Sequence, residues 1–316
     1  MSGPAIATSG LTKRFGSLTA VDSLDLVVRR GEVFGYLGPN GAGKTTTIRL
    51  LLDFIRPTSG RAEVLGGSGA DPAIRRQVGY LPASLDVDPR WCARDLLSFY
   101  GELRGGRDLA WERALLERFD LDPARPVGQL SSGNRRKVGI VQAVAHRPPL
   151  LVLDEPTSGL DPLLQHEFQL LVRDLVADGA TVFLSSHVLP EVEALADRVA
   201  ILRRGVLVAL ATVDELRRSA RTRIDLRLAE PPAAADLAAF AGLAEVSATD
   251  ATIHLVVEGP VDPVLKAAAR LTVQAIATHD ADLEDVFLTY YQGETSGRGE
   301  SSGRGDGAGR GEETGR

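Results

Sequence analysis

Val33-Phe34-Gly35-Tyr36-Leu37, running directly into Gly38-Pro39-Asn40-Gly41-Ala42-Gly43-Lys44-Thr45-Thr46, is the stretch on which the fold turns. The opening apolar run has strand length. From Gly38 the chain satisfies the pattern glycine, four residues, glycine, lysine, threonine. Beyond it Ile48, Leu51, Leu52 and Ile55 recur at helical spacing, which predicts a helix over 46–55. Strand, glycine-rich loop and helix in that order make a phosphate cradle. Glycines let the backbone wrap closely, consecutive N–H groups point at phosphate oxygens, and the helix presents the positive end of its dipole. Lys44 then meets β- and γ-phosphates as a point charge, and the Thr45 hydroxyl is placed to ligate a bridging Mg²⁺. The expected contacts are therefore Gly38, Pro39, Asn40, Gly41, Ala42, Gly43, Lys44, Thr45 and Thr46.

From about Ile6 to Leu216 short apolar runs alternate with helical patterns, the mark of an α/β domain with a largely parallel sheet. Leu150 to Leu153 is one such run, and it ends in Asp154-Glu155. The first carboxylate suits Mg²⁺ through water, and the second can polarise an attacking water. An acidic pair after an apolar run is equally an ordinary polar strand end, and a glycine loop of this kind also serves GTPases, kinases and motor ATPases. Residues 85–146 are richer in helical patterning and read as a helical insertion.

Leu130-Ser131-Ser132-Gly133-Asn134, about twenty residues ahead of the acidic pair, resembles the signature motif of ATP-binding cassette (ABC) ATPases. Ser158-Gly159-Leu160-Asp161 resembles that family's dimer-contacting loop, Ser185-Ser186-His187 its switch histidine, and Phe15 the aromatic on which adenine stacks. The resemblance spans about Ile6 to Leu216. It implies a P-loop NTPase core that binds ATP and Mg²⁺, with Glu155 and His187 catalytic and Thr45 and Asp154 at the metal. It further implies two cassettes facing head to tail, so that ATP on one Lys44 loop is covered by Ser131, Ser132, Gly133 and Asn134 of the other, with Asp161 coupling the sites. One chain carries one set. The partners implied are thus a second ATP-binding subunit, as a homodimer, and an integral membrane permease encoded separately.

Within the family, Asn134 to Gly139 and Leu283-Glu284-Asp285-Val286-Phe287 are similar in style to bacterial drug- and antibiotic-export ATPases. Three positions depart from the family pattern. Ala83 stands where a glutamine normally touches Mg²⁺ and signals to the membrane partner, Ser132 and Asn134 replace a glycine and a glutamine, and Phe15 replaces a tyrosine. Two other readings compete. A cassette ATPase of repair or translation tends to carry a coiled-coil insertion or two cassettes per chain; an ATP-holding regulatory module without turnover is suggested by Ala83 alone.

A chain of 316 residues is long enough for about two domains. The net charge of -6 disfavours a nucleic-acid binder, so no nucleic-acid partner is expected. Cys92 is the single cysteine, which rules out an intramolecular disulfide and fits a reducing compartment. The start MSGPAIATSG lacks a signal-peptide succession, and no apolar run approaches the roughly 18 residues that span a bilayer. The expected location is the cytoplasmic face of the cell membrane, in a bacterium. Expected boundaries are 5–218 for the ATP-binding domain, 219–292 for a small α+β domain of β-α-β-β-α-β order, ferredoxin-like with a closing helix at Leu283–Tyr291, and 293–316 for a disordered tail. The tail repeats Gly-Arg-Gly-acid from Gly297, Gly303 and Gly309 and has no apolar side chain larger than Ala308, so it cannot recover the entropy of ordering. Deleting the chain from Gly293 onward should leave melting temperature and ATPase rate unchanged; a fall of several degrees would show that the tail docks.

Overall fold

The computed structural model describes residues 3–219, 222–257 and 259–279. It opens with β1 (Ile6–Phe15), β2 (Leu18–Val28) and β3 (Val33–Leu37), then the glycine loop and α1 (Lys44–Leu51). β4 (Ser59–Val64), α2 (Pro72–Arg75) and β5 (Val78–Leu81) follow. Three helices occupy the expected insertion, α3 (Ala93–Arg104), α4 (Leu109–Arg118) and α5 (Ser132–Val144). Next come β6 (Leu150–Asp154), α6 (Pro162–Ala177), β7 (Thr181–Ser186), α7 (Leu189–Leu195), β8 (Arg198–Arg203), β9 (Val206–Thr212) and α8 (Val213–Ser219). The helix expected over 46–55 starts at Lys44 and stops at Leu51, because Asp53 turns into the left-handed region at φ 54°. Ile55 still packs against the core, from that turn.

The main sheet has the order β5-β6-β7-β3-β8-β9, parallel throughout except for the β8–β9 hairpin. Every residue of β3, β6 and β7 is buried, as parallel strands covered on both faces should be. The pleat divides each strand between two cores. Leu150, Val152, Phe183, Phe34 and Tyr36 join Ile48 and Leu51 of α1 on one face; Leu151, Leu153, Val182, Leu184 and Leu37 join Val138, Val141 and Phe168 on the other.

A separate three-stranded antiparallel sheet, β2-β1-β4, corrects the expectation of one largely parallel sheet from Ile6 onward. Apolar runs do not encode strand direction, but the connection does. Only Gly16 and Ser17 join β1 to β2, and so short a link permits nothing but a hairpin, with Phe15 paired to Leu18 at its end. This places Phe15 at the tip.

Beyond residues 220–221 the order is β10 (Thr222–Leu228), α9 (Ala234–Ala238), β11 (Glu245–Thr249), β12 (Thr252–Val257), α10 (Asp262–Ala268) and β13 (Val273–His279). The strands form an antiparallel sheet in the order β11-β12-β10-β13. Alternate residues Ile224, Leu226 and Leu228 meet Ile253, Leu255 and Val257 in a small core closed by Phe240 and Val264. The helix expected at 283–291 and the Gly-Arg tail lie outside the described residues. Among the described residues, no helix is long and apolar enough to cross a membrane.

β5 packs tightly against α5 at Gly79, where an added Cβ would meet Leu151 Cδ2 and Pro148 Cγ, each at 2.7 Å, and the Ala143 carbonyl. Gly79→Ala should therefore destabilise by about 1–3 kcal/mol through overpacking, read as a lower urea midpoint at unchanged m. An unshifted midpoint would show that the two elements slide apart freely.

Candidate active site

The pleat decides which way the acidic pair faces. Asp154 shares parity with Leu150 and Val152, so its side chain emerges on the α1 face, where it is wholly buried. There Thr45 Oγ1 donates to Asp154 Oδ2 at 2.8 Å, and Ser185 Oγ donates to Oδ1 at 2.6 Å. Glu155 would point to the opposite face if the strand continued. Instead its φ of 50° lies in the left-handed region, which costs a non-glycine residue about 1–2 kcal/mol. The turn carries its carboxylate towards the glycine loop. Oε1 lies 3.1 Å from Lys44 Nζ, and Oε2 accepts from His187 Nδ1 at 2.7 Å.

Lys44 is buried to 6% exposure at the first turn of α1, and its ammonium also donates to the carbonyls of Gly38 at 2.6 Å and Pro39 at 3.2 Å. Gly43 needs its hydrogen side chain twice over, since its φ is 106° and a Cβ would run into the Ala20 carbonyl. Around these groups lies a cleft of about 630 Å³, lined by Pro39, Asn40, Gly41, Gly43, Lys44, Thr45, Thr46, Ala83 and Glu155. Phe15, half exposed, stands at its rim beside Leu18, Thr19 and Ala20, with Lys13 Nζ 5.0 Å from the ring centroid. A buried cation, open N–H groups and a flat aromatic rim suit a nucleotide polyphosphate. The oxygen pair of Thr45 and Asp154 suits a hard cation such as Mg²⁺, which takes one or two protein oxygens and completes its shell with phosphate and water.

Ser131, Ser132, Gly133 and Asn134 do not line this cleft. Ser131 is the N-cap of α5, its hydroxyl accepting from the Asn134 N–H at 3.3 Å, and Ser131 and Ser132 face solvent. Asp161 likewise caps α6 by accepting from the Leu164 N–H at 3.0 Å. The two caps adjoin: a Cβ on Gly133 would come 3.2 Å from the Gly159 carbonyl. Ser131, Ser132, Ser158, Gly159 and Asp161 are thus exposed outside the lining of the chain's own cleft, while Leu160 is buried in the core. Gly38 and Ala42 do not line the cleft either: the Gly38 N–H donates to the Ser186 carbonyl at 3.3 Å and the Ala42 N–H to the Pro39 carbonyl at 3.1 Å.

Three contributors escaped sequence reasoning. Arg204, in the β8–β9 turn, lines the cleft; its only signal is the Arg203-Arg204-Gly205 turn. Ser185 holds Asp154, as the parallel register of Asp154 with Ser185 dictates. Arg136, on α5, is buried, and burial lowers its pKa to about 10 despite the nearby charges of Asp154 and Glu155. Its guanidinium donates to main-chain carbonyls on both flanks of the site.

A glycine loop entering a helix, an acidic pair at the end of a buried strand, a histidine on the second carboxylate and an outward-facing signature helix define a nucleotide-hydrolysing cassette. Residues 21–158 match the profile of the ABC transporter family. The chain is 40% identical over 297 residues to the daunorubicin resistance ATP-binding protein DrrA3 of Streptomyces coeruleorubidus, covering 91% of this chain and 93% of that protein. It belongs to the ABC transporter family, as one of its ATP-binding ATPase subunits. The bacitracin transport ATP-binding protein BcrA of Bacillus licheniformis is 37% identical over 230 residues, 71% of this chain and 75% of that one. Among solved structures, an ATP-binding subunit of an ABC transporter superposes with a TM-score of 0.64 at 31% identity, over 68% of this chain and 92% of that chain.

Removing the ammonium leaves the phosphates to backbone dipoles and Arg204. Lys44→Ala should weaken ATP binding by roughly 10- to 150-fold, the worth of a lost charged hydrogen bond, measured by equilibrium titration. Wild-type affinity would show that the loop does not hold the phosphates.

Proposed function

We propose that this chain is the ATP-hydrolysing subunit of an export system. Two copies close head to tail over ATP beneath a separately encoded membrane permease, at the cytoplasmic face of a bacterial cell membrane, and drive out a drug- or antibiotic-like small molecule. The observation that carries this reading is the Glu155 carboxylate, set between Lys44 and His187 and next to the Thr45–Asp154 pair. The relatives' names, daunorubicin resistance and bacitracin transport, support the class of cargo.

Adenine stacks on Phe15, and the N–H groups of Asn40, Gly41 and Gly43 with Thr46 surround the phosphates. Thr45 and Asp154 hold Mg²⁺, which when bound neutralises phosphate oxygens. Lys44 lies in an ion pair with Glu155, so an arriving γ-phosphate takes over the ammonium and frees the carboxylate. Glu155 then orients the attacking water and accepts its proton, and His187, joined to Glu155 through Nδ1, steers that carboxylate and meets the γ-phosphate. Ser131, Ser132, Gly133 and Asn134 of the second copy cover the same phosphate with hydroxyl, N–H and helix dipole. Asp161, beside the signature surface, couples the two sites. Residues 5–218 form the ATP-binding domain, with its helical insertion at 85–146. The strand order β11-β12-β10-β13 within 222–279 supports a ferredoxin-like second domain.

Glu155→Gln keeps side-chain size and removes the charge. ATP should still bind, and hydrolysis should fall by about 10²–10⁴-fold, the contribution of a positioned general base. With ATP retained, size-exclusion chromatography should show a dimer that disperses with ADP and with a further Ser131→Arg substitution. Wild-type turnover in Glu155→Gln would remove the catalytic assignment, and an inactive, ATP-saturated monomer would remove the head-to-tail pair.

A further inference from the structure

Arg136 is 5% exposed, and its guanidinium reaches the main chain of two separate loops. Nε donates to the Pro156 carbonyl at 2.9 Å. One terminal nitrogen donates to Pro82 at 2.5 Å and to Ala83 at 3.1 Å, and the other to Asp154 at 2.7 Å and to Glu155. All three nitrogens are engaged, and the acceptors belong either to the loop after β5 or to the turn after β6. A buried cation is tolerated only when its donors are satisfied, and a planar fork is the side chain that can satisfy several fixed carbonyls at once.

Two features of the site converge on this group. The carbonyls of Asp154, Glu155 and Pro156 all turn towards it, and that is the turn in which Glu155 takes its left-handed φ of 50°. Arg136 therefore offsets the strain that aims the carboxylate at Lys44 and His187. The other arm binds the loop at Ala83, a residue on the cleft wall whose side chain has nothing to offer a metal or a water. What Ala83 does contribute is its carbonyl, and Arg136 holds it. Arg136 itself rides on α5, the helix capped by Ser131.

We propose that Arg136 is the positioning residue of this site, a single guanidinium that fixes the Glu155 turn and ties it to both the Ala83 loop and the signature helix of the same chain. The inference rests on the proposed function, since it concerns what places the hydrolytic carboxylate.

The test uses the full chain and the substitutions Arg136→Lys and Arg136→Gln, with ATPase kcat, ATP Kd and melting temperature measured together. Lysine keeps the charge but reaches fewer carbonyls; glutamine keeps a donor and loses the charge. Both should leave Kd close to wild type, because neither touches the glycine loop. kcat should fall in the order wild type, lysine, glutamine, by about tenfold to 10²-fold, the effect of displacing a catalytic group by around an ångström. Adding either substitution to Glu155→Gln should cause little further loss beyond that of Glu155→Gln alone, because Arg136 acts through that carboxylate. If the glutamine variant does not fold, the lysine variant carries the comparison. Unchanged kcat in a folded variant overturns the proposal, as do losses that multiply in the double variant, or kcat, ATP affinity and melting temperature falling together. No turnover by the wild-type chain would overturn the proposed function itself and this linkage with it, an outcome distinct from all of these.

Discussion

Lys44 brings a positive charge into a place where only 6% of its surface meets solvent, and an ammonium so placed requires partners on every side it donates. The loop supplies the carbonyls of Gly38 and Pro39; the remaining partner, Glu155, comes from a strand that is not even a neighbour of β3. β7 lies between. Its Ser185 stands in register with Tyr36 of β3 on one side and Asp154 of β6 on the other, so one strand sets the distance between cation and carboxylates. The parallel order β6-β7-β3 is thus what makes the site, because all three strands deliver their C-terminal ends to the same edge.

The ion pair between Lys44 and Glu155 has a further consequence for how the site works. Without substrate the two groups neutralise each other at 3.1 Å, so an incoming polyphosphate exchanges one anionic partner of Lys44 for another and does not confront a bare charge. Glu155, released, keeps His187. In the proposed function, binding and the arming of the carboxylate are then the same event. The exposed caps of α5 and α6 do not line that cleft within one chain, and in the proposed function they are the surface offered to a second copy.

Contiguous chemistry was legible in the sequence. Strand, glycine turn and helix over 33–51 are dictated by neighbours in the chain, since a glycine requirement, a dipole and a helical period are local properties. The same holds for the apolar β6 run with its two terminal carboxylates and for the alternation that buries Ile224, Leu226 and Leu228. Where reading went astray, the missing quantity was non-local. Strand direction is one case, for β1, β2 and β4 carry the same apolar signal whichever way they run.

By itself, then, the sequence determined which residues carry charge, which hydroxyl and carboxylates suit a metal, and where the chain must turn without a side chain. Only the tertiary structure decided how these meet. Thr45 and Asp154 lie 109 positions apart, and Arg136 reaches carbonyls 54 positions back and 20 ahead. Main-chain carbonyls are identical at every residue, so no pattern of residue types can announce that five of them converge on one guanidinium. The left-handed turn at Glu155 is hidden for the same reason: a glutamate adopts it because a sheet, a helix and a buried cation surround it, and none of these is written at position 155.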